Sequence, residues 1–384
     1  MKISQRIAHS RPLATTAMHG RVESMRHAGE EVIDFSIAIS HFPAPAAVLD
    51  AVGAAVDNVR TMPYTSVVGA VAVRERLCGK LARENGITAG ADEVIVTNGA
   101  KQALYEALYA MSDPGDSVLI FKPHWPAYVA TCQLLGLRPV LADLPDEVTP
   151  GFLAACEPVR IVIINNPHNP TGKVYTRAEL GAIRDWALAI GAQVIVDESY
   201  EHLSFGPAHT SFAALCDWRA LGVATIFSAS QSYAMMGWRI GFALAPAPLV
   251  GAMQTLQGPI TAAVSHLSQV ATVAAFEAGP QRRMIGDYRE RRDMVVRRFA
   301  EAPWIAMAAP DSGPYLWGDV RALTHDTVAF SEALIAQEGV AIMPGDALGV
   351  PGHIRIGYIA DDAATLMEGV RRVIAFGDRM AAQR

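Results

Sequence analysis

Short apolar runs alternate with helical patterns along most of the chain. After a polar arm, Val32-Ile-Asp-Phe-Ser-Ile-Ala-Ile leads to Pro43 and Pro45, and the spacing predicts a helix over Ala46–Asn58. Val73, Leu77 and Leu81 recur at helical spacing, so 71–85 reads as a second helix. From there strand and helix take turns. Glu93-Val-Ile-Val-Thr precedes a helix over Ala100–Met111, and Ser117-Val-Leu-Ile-Phe precedes one over Pro126–Leu135. Arg160-Ile-Val-Ile-Ile-Asn, Gln193-Val-Ile-Val-Asp and Ala224-Thr-Ile-Phe-Ser are three more short apolar runs. Runs of this kind, separated by helices, predict an α/β fold whose mainly parallel sheet is covered on both faces. Asn98, Asn166, Asp197 and Ser228 fall just after strand ends. That is the crevice in which open α/β sheets bind ligands. A long helix over 279–299 is expected to bridge to an α/β region from Trp304 onward.

With 384 residues the chain can bury one large domain and a smaller companion. The division expected is an N-terminal arm with part of the small domain over 1–45, a large domain over 46–285 and a small C-terminal domain over 286–384. A hydrophobic fraction of 51% against 18% charged residues excludes wholesale disorder. The net charge of −6 argues against nucleic acid or an anionic membrane as partner, and Arg289–Arg292 reads as a solvated helix face. Cys78, Cys132, Cys156 and Cys216 are scattered, so neither a disulfide framework nor a metal site is expected. His9, Arg11 and Thr15 stand where a signal peptide needs its apolar run. The longest apolar stretch, Ile240–Met253, is interrupted by Pro246 and Pro248, too short a run for a membrane span. A cytoplasmic protein is the expectation.

The candidate chemistry begins at Asn98-Gly99-Ala100-Lys101-Gln102. Glycine at a strand-to-helix turn lets the backbone approach a ligand, and the helix start favours an anion. Ser228, Ser230 and Arg239 can add hydroxyls and a forked cation from a second loop. No G-x-G-x-x-G is present, and Thr171-Gly-Lys173-Val lacks both the upstream glycine and the following hydroxyl of a P-loop. Asp197, at the end of a buried strand, suits a carboxylate that keeps a heteroaromatic nitrogen protonated; an Asp capping the next turn is the plainer alternative. Trp125, in Pro123-His-Trp-Pro126, can stack on a ring or simply pack. Arg355 can clamp a carboxylate bidentately, or serve as an exposed ion-pair partner.

Taken in order, Tyr64…Gly69…Arg74, Asn98-Gly-Ala, Trp125, Asn165-Asn-Pro-His-Asn-Pro-Thr-Gly172, Asp197-Glu-Ser-Tyr200, Ser228…Arg239 and Arg355 resemble the class I/II aminotransferases of fold type I. The resemblance runs over 30–375, and Asn-Pro-x-Asn-Pro-Thr-Gly and Gly-Trp-Arg-Ile-Gly are its most specific parts. It implies pyridoxal 5'-phosphate (PLP) as cofactor, an amino-acid-type substrate and a homodimer. Asp197 would hold the pyridine nitrogen, Tyr200 and Asn169 the phenolic oxygen, and Trp125 the ring face. Gly99, Ala100, Lys101, Ser228, Ser230 and Arg239 would hold the phosphate, and Tyr64 would reach the phosphate of the neighbouring subunit. Arg355, with the loop at Ala38, would meet the substrate carboxylate.

The chain departs from that family most sharply at Gln231, where the resemblance leads one to expect the lysine that forms a Schiff base with PLP. An amide neither forms that bond nor moves the α-proton. The remaining lysines are Lys2, Lys80, Lys101, Lys122 and Lys173, and none sits where the segment places the aldehyde carbon. PLP is therefore expected non-covalently, as an external aldimine or as pyridoxamine 5'-phosphate (PMP). Glutamine at this point fits a substitution that arrests an active enzyme, and it fits a natural lysine-less relative. Ala38 stands near a family glycine, His41 and Phe42 are placed to line the substrate entrance, and Gly313-Pro314-Tyr315 occupies a loop of usually small residues. These changes point to an unusual substrate or outcome. Transamination is the first reading; β-elimination, including C–S cleavage, and decarboxylation with oxidative deamination are alternatives, and a catalytically silent protein is another.

Overall fold

The computed structural model describes all residues except 1, 2, 4–6, 8–11, 59–61, 63, 360, 361 and 384. His9, Arg11 and Lys2 therefore lie outside the described residues. The alternating runs assemble into a seven-stranded sheet of β1 (Val94–Thr97), β2 (Ser117–Lys122), β3 (Arg138–Asp143), β4 (Ile161–Asn165), β5 (Gln193–Asp197), β6 (Val223–Ser228) and β7 (Gly241–Leu244). Their spatial order is β1-β7-β6-β5-β4-β2-β3. Strands β2 to β6 pair in parallel, with Asn165 level with Asp197 and Asp197 level with Ile226. The parallel C-terminal ends thus open on one side.

Two strands lie beyond those the apolar runs predict. Strand β3 is an edge strand with only partly buried side chains, so its polar ends hide it. Strand β7 runs antiparallel to β6 and β1 and is merged in the sequence with the helix Ala247–Ile260, which makes one long apolar stretch of two elements. No helix among the described residues is long and apolar enough to cross a membrane. The helix over Val71–Lys80 gives way to a wider turn over Leu81–Asn85 that ends at Gly86, φ +68°. At this junction Lys80 is fully buried. Its Nζ donates to Glu201 Oε1 at 2.5 Å and to Asn85 Oδ1 at 2.8 Å, and Asn85 Nδ2 donates to Glu201 Oε2 at 2.7 Å.

Helix α1 (Ala14–His27) precedes a two-residue parallel pairing of Ile33–Asp34 with Val340–Ala341. Helix α2 (Ala100–Met111) leaves β1 and packs on the sheet. A second, antiparallel sheet pairs Tyr315–Asp319 with His353–Gly357, flanked by Ala306–Met307 and Met343–Pro344. Its apolar core takes Val295 and Phe299 from α3 (Arg282–Phe299) and Val370, Val373 and Phe376 from α4 (Ala363–Ala382), together with Phe35. We propose the divisions near 45 and 285 as the domain boundaries. Arg289–Arg292 forms only part of the solvated face expected of it, since Arg289 and Glu290 are exposed but the next two residues are not. Arg291 is buried with its Nε 2.7 Å from Asp287, and Arg292 donates to Pro310 O beside the Phe205 ring, because α3 turns this face toward the second core.

The Lys80–Glu201 pair generates a stability prediction. Burial alone would raise the Glu201 carboxyl, but the charges of Lys80, His202 and His209, with the Lys80 hydrogen bond, together outweigh it and hold the group at about 2. A depressed carboxyl contributes stability that is present above its ordinary value and lost as pH falls toward that folded value. Lys80→Met strands a buried carboxylate and is expected to cost about 3–5 kcal/mol at neutral pH. Urea unfolding should show this penalty shrinking as the pH is lowered below about 4.5.

Candidate active site

Burial and register bring most of the sequence candidates into one cavity of about 510 Å³ at the C-terminal ends of the parallel strands. Asp197 and Arg239 both line it. Asp197 ends β5 and is 6% exposed. Its Oδ1 accepts from Ser199 N–H at 3.0 Å and Ser199 Oγ at 2.6 Å, and its Oδ2 accepts from Tyr128 Oη at 2.7 Å. Each of these donors is neutral. Burial lifts the Asp197 carboxyl above the ordinary range, and the Ser199 and Tyr128 hydrogen bonds pull it back. Tyr128 is itself pushed well above the usual phenol value, first by burial and then by Asp197.

At the other end, Gly99 caps the start of α2 with φ +82°. A Cβ there would lie 2.5 Å from Arg239 Nη2, so only glycine lets the guanidinium rest against this turn. Arg239 has φ +52°, a left-handed conformation unusual for a side-chain-bearing residue, and strain of that kind concentrates at functional sites. Its Nη1 donates to Met236 O at 2.9 Å. Burial, and then the Arg239 charge, lower the Lys101 ammonium. Two cations held near each other at a helix start suit an anion between them. Ala100, Ser228 and Ser230 line the same wall.

Between these ends, Trp125 meets Tyr128 edge-on at 5.4 Å between ring centroids. Asn169 N–H is fixed by Asn165 Oδ1 at 2.7 Å, and its Nδ2 donates to Tyr200 Oη at 3.4 Å. Burial, above all, pushes the Tyr200 phenol well up. Arg355 is 1% exposed, which removes the surface ion-pair alternative. Its Nη2 donates to Ser36 O at 2.7 Å and its Nη1 to Asn169 Oδ1 at 3.3 Å, its guanidinium lies 4.0 Å from the Tyr315 ring, and its buried Nε has no partner. Gln231 also lines the cavity. Its Nε2 donates to Ala38 O at 3.2 Å, while its Oε1 is buried without a donor.

One expectation changes. His41 and Phe42 are absent from the cavity wall, because His41 is drawn to Ile359 O at 2.8 Å and to Asp287, and Phe42 packs on the second core. Ile37 and Ile39 flank Ala38 there instead. Tyr64 stands 97% exposed, outside its own chain's cavity. Among the described lysines only Lys101 lines the cavity, while Lys80, Lys122 and Lys173 are paired with Glu201, Asp143 and Glu179. Sequence reading missed Tyr128 and Ser199, and also Thr15, Thr16 and His19, which α1 brings to the wall. Thr15 and His19 are four apart, hence on one helix face, which is the signal that was available. Outside the cavity, Glu198, Glu201 and His209 offer ligand atoms within 4.8 Å of one another, a grouping the scattered cysteines gave no reason to expect. Lys80 supplies the positive charge at that point.

The family model for aminotransferase class I and II matches residues 30–373. The chain belongs to that family. It is 32% identical to an aspartate aminotransferase of Streptomyces avermitilis, over 97% of this chain and 95% of that protein. It is 33% identical to an aspartate/prephenate aminotransferase of Cereibacter sphaeroides, over 97% and 98%. The fold superimposes on an aspartate aminotransferase from Rhizobium meliloti with a TM-score of 0.91 at 29% identity, covering 99% of both chains. It matches the Thermus thermophilus aspartate aminotransferase solved with maleate at the same TM-score and identity, covering 98% and 100%. The fold is thus that of the fold type I enzymes, and this is an aminotransferase-like, PLP-dependent member of the family.

Tyr128→Phe keeps the ring and removes one donor to a buried carboxylate. It is expected to destabilise the ligand-free protein by about 1–3 kcal/mol. Thermal unfolding measures this, and an unchanged midpoint would show that the hydrogen bond does not hold Asp197.

Proposed function

We propose that this chain binds PLP without a bond to residue 231, acts on an α-amino acid or amino-acid conjugate, and works as a cytoplasmic homodimer. The observation that carries the reading is one cavity with a buried carboxylate at one end and two cations at the other. Such a cavity suits a ligand with a protonated ring nitrogen and a dianionic tail. PLP has both. When bound, it supplies an electron sink for a bond on the amine-bearing carbon.

The chain's own residues then have distinct tasks. Asp197 accepts the ring N–H and keeps that proton in place. Asn169 and Tyr200 hold the phenolic oxygen, and Trp125 covers the ring. The first N–H groups of α2, at Ala100 and Lys101, have no partner within the helix and turn to the phosphate with Ser228, Ser230 and Arg239. Gly99 admits Arg239 to that wall. Arg355, in the cavity wall, keeps a second N–H on each Nη beyond those given to Ser36 and Asn169, and these are left for a carboxylate. Tyr64, exposed on its own chain, is proposed to reach the phosphate of a second copy. Free cysteines accord with a reducing compartment.

Gln231 cannot take a proton from the substrate, a contribution typically worth about 10²–10⁴-fold in rate. Relatives carry the names aspartate and aspartate/prephenate aminotransferase, and transamination of an amino acid is the first reading for the parent activity. A genomic codon for lysine at 231 would make this chain an arrested form of such an enzyme, and a glutamine codon a natural departure. Ala38 and Tyr315, in the wall with Arg355, favour a second reading in which the amine-bearing carbon loses another group by β-elimination or decarboxylation.

Restoring lysine tests the reading directly. Gln231→Lys is expected to hold PLP covalently after borohydride reduction and to raise turnover by at least about 10². Accumulating aminated cofactor marks transamination, whereas released pyruvate and ammonia mark elimination. A restored protein that binds no PLP ends the proposal. For the dimer, Tyr64→Ala should weaken PLP binding about tenfold or more while sedimentation still reports dimers. A monomeric protein with unaltered affinity in that variant would exclude the role given to Tyr64.

A further inference from the structure

The turn that opens α2 is also fastened from behind, through Asn98. Its carbonyl accepts from Arg239 Nη2 at 3.5 Å, and its backbone N–H and Nδ2 both donate to Gln102 Oε1 at 2.8 Å. A backbone N–H only donates, so the end of the Gln102 amide that meets Asn98 must be the oxygen. Nε2 then faces away from the turn. Its two hydrogens go to Glu106 Oε1 at 2.7 Å and Thr261 Oγ1 at 2.9 Å. Gln102 is the third residue of α2 and Glu106 lies four further on, so the contacts run along one helix face to the turn.

Glu106 is a costly residue to keep at that place. It is fully buried, no cation pairs with it among the described residues, and its second oxygen is enclosed without a partner. Burial outweighs the Gln102 hydrogen bond and pushes the carboxyl up to about 7. An apolar side chain of similar volume would fill the space without that penalty. Stability therefore does not account for the carboxyl, whereas its one contact does. With or without a proton it keeps an acceptor for Gln102 Nε2. Were the amide to turn over, Nε2 would face both donors of Asn98, and the turn would lose its anchor.

We propose that Glu106 is a positioning residue for the phosphate end of the cavity: it holds the Gln102 amide in the one orientation that fastens Asn98, and Asn98 in turn holds Arg239 beside the open N–H groups of Ala100 and Lys101. This rests on the pyridine-phosphate reading of the cavity and deepens it. Glu106 itself touches no ligand. A second cavity of about 460 Å³ lies behind the turn with Gln102 in its wall, so water can reach the amide once the carboxyl is removed.

Two ligands that differ only in the phosphate, PMP and pyridoxamine, read the turn apart from the rest of the cavity. Calorimetry with the cofactor-free full-length protein is expected to find PMP at least about 10²-fold tighter than pyridoxamine. In Glu106→Leu that preference should fall about tenfold, entirely through PMP, while pyridoxamine affinity and the melting midpoint of the ligand-free protein are not lowered. Glu106→Gln, which retains an acceptor, should keep the preference to within a few-fold. Gln102→Met should lose as much as Glu106→Leu, and the double variant no more than either, because both act through one amide. An undiminished preference in Glu106→Leu or Gln102→Met would overturn the role. Equal weakening of both ligands with a lowered midpoint would make Glu106 merely structural, and overturn it too. If the unaltered protein binds PMP no more tightly than pyridoxamine, the phosphate reading itself fails and this role with it. Gln102→Met tests the same link if Glu106→Leu does not fold.

Discussion

A carboxylate buried at the end of a central strand, supported only by neutral donors, is the constraint on which the site depends. Asp197 lies in the fifth strand, level with Asn165 on one neighbour and Ile226 on the other. Its hydrogen bonds from Tyr128 and Ser199 favour the ionised form, while burial opposes it. Neutral donors lessen that cost without removing it, and a cation brought by a ligand would remove more. The parallel sheet makes this arrangement possible, because it delivers the ends of β4, β5 and β6 to one edge where side chains from separate loops converge.

The second body of the protein reaches this edge through Arg355. Its strand belongs to the antiparallel sheet, yet its guanidinium donates to Ser36 of the N-terminal segment and to Asn169 of the large sheet's crevice. Tyr315, from the neighbouring strand, supplies a ring beneath it. One buried cation thus touches three stretches far apart in sequence. A side chain that moved Arg355 would therefore disturb the cavity and the contact between the two sheets together.

Much of this was legible in the sequence for local reasons. The helices over Ala46–Asn58, Ala100–Met111 and Pro126–Leu135 have the predicted bounds, because their apolar spacing and end signals agree. Asp197, Gly99 and Arg239 were visible because each sits at a strand-to-loop or strand-to-helix transition with unusual side-chain or backbone needs. Tyr128 was not, since an aromatic residue within an apolar helix reads as core until its hydroxyl is seen to reach Asp197. The contribution of α1 was hidden for another reason. Thr15, Thr16 and His19 form a weakly amphipathic polar face, and only tertiary placement turns that face toward the cavity. Arg291 misled in the opposite sense, because a cluster of arginines gives no hint that one will be enclosed beside Asp287.

The two departures at positions 38 and 231 are one structural feature. They are joined by a single hydrogen bond, from the amide of Gln231 to the carbonyl of Ala38. A lysine ammonium could also donate to that carbonyl, so the loop does not by itself demand glutamine. What glutamine adds is the oxygen on the far side, an acceptor that no lysine provides. Ala38, flanked by Ile37 and Ile39, makes the adjoining wall apolar. The pairing therefore replaces a side chain able to bond a carbonyl by an amide tied to the loop at Ala38. The Asp197 and Arg239 ends of the cavity are unaffected by that change.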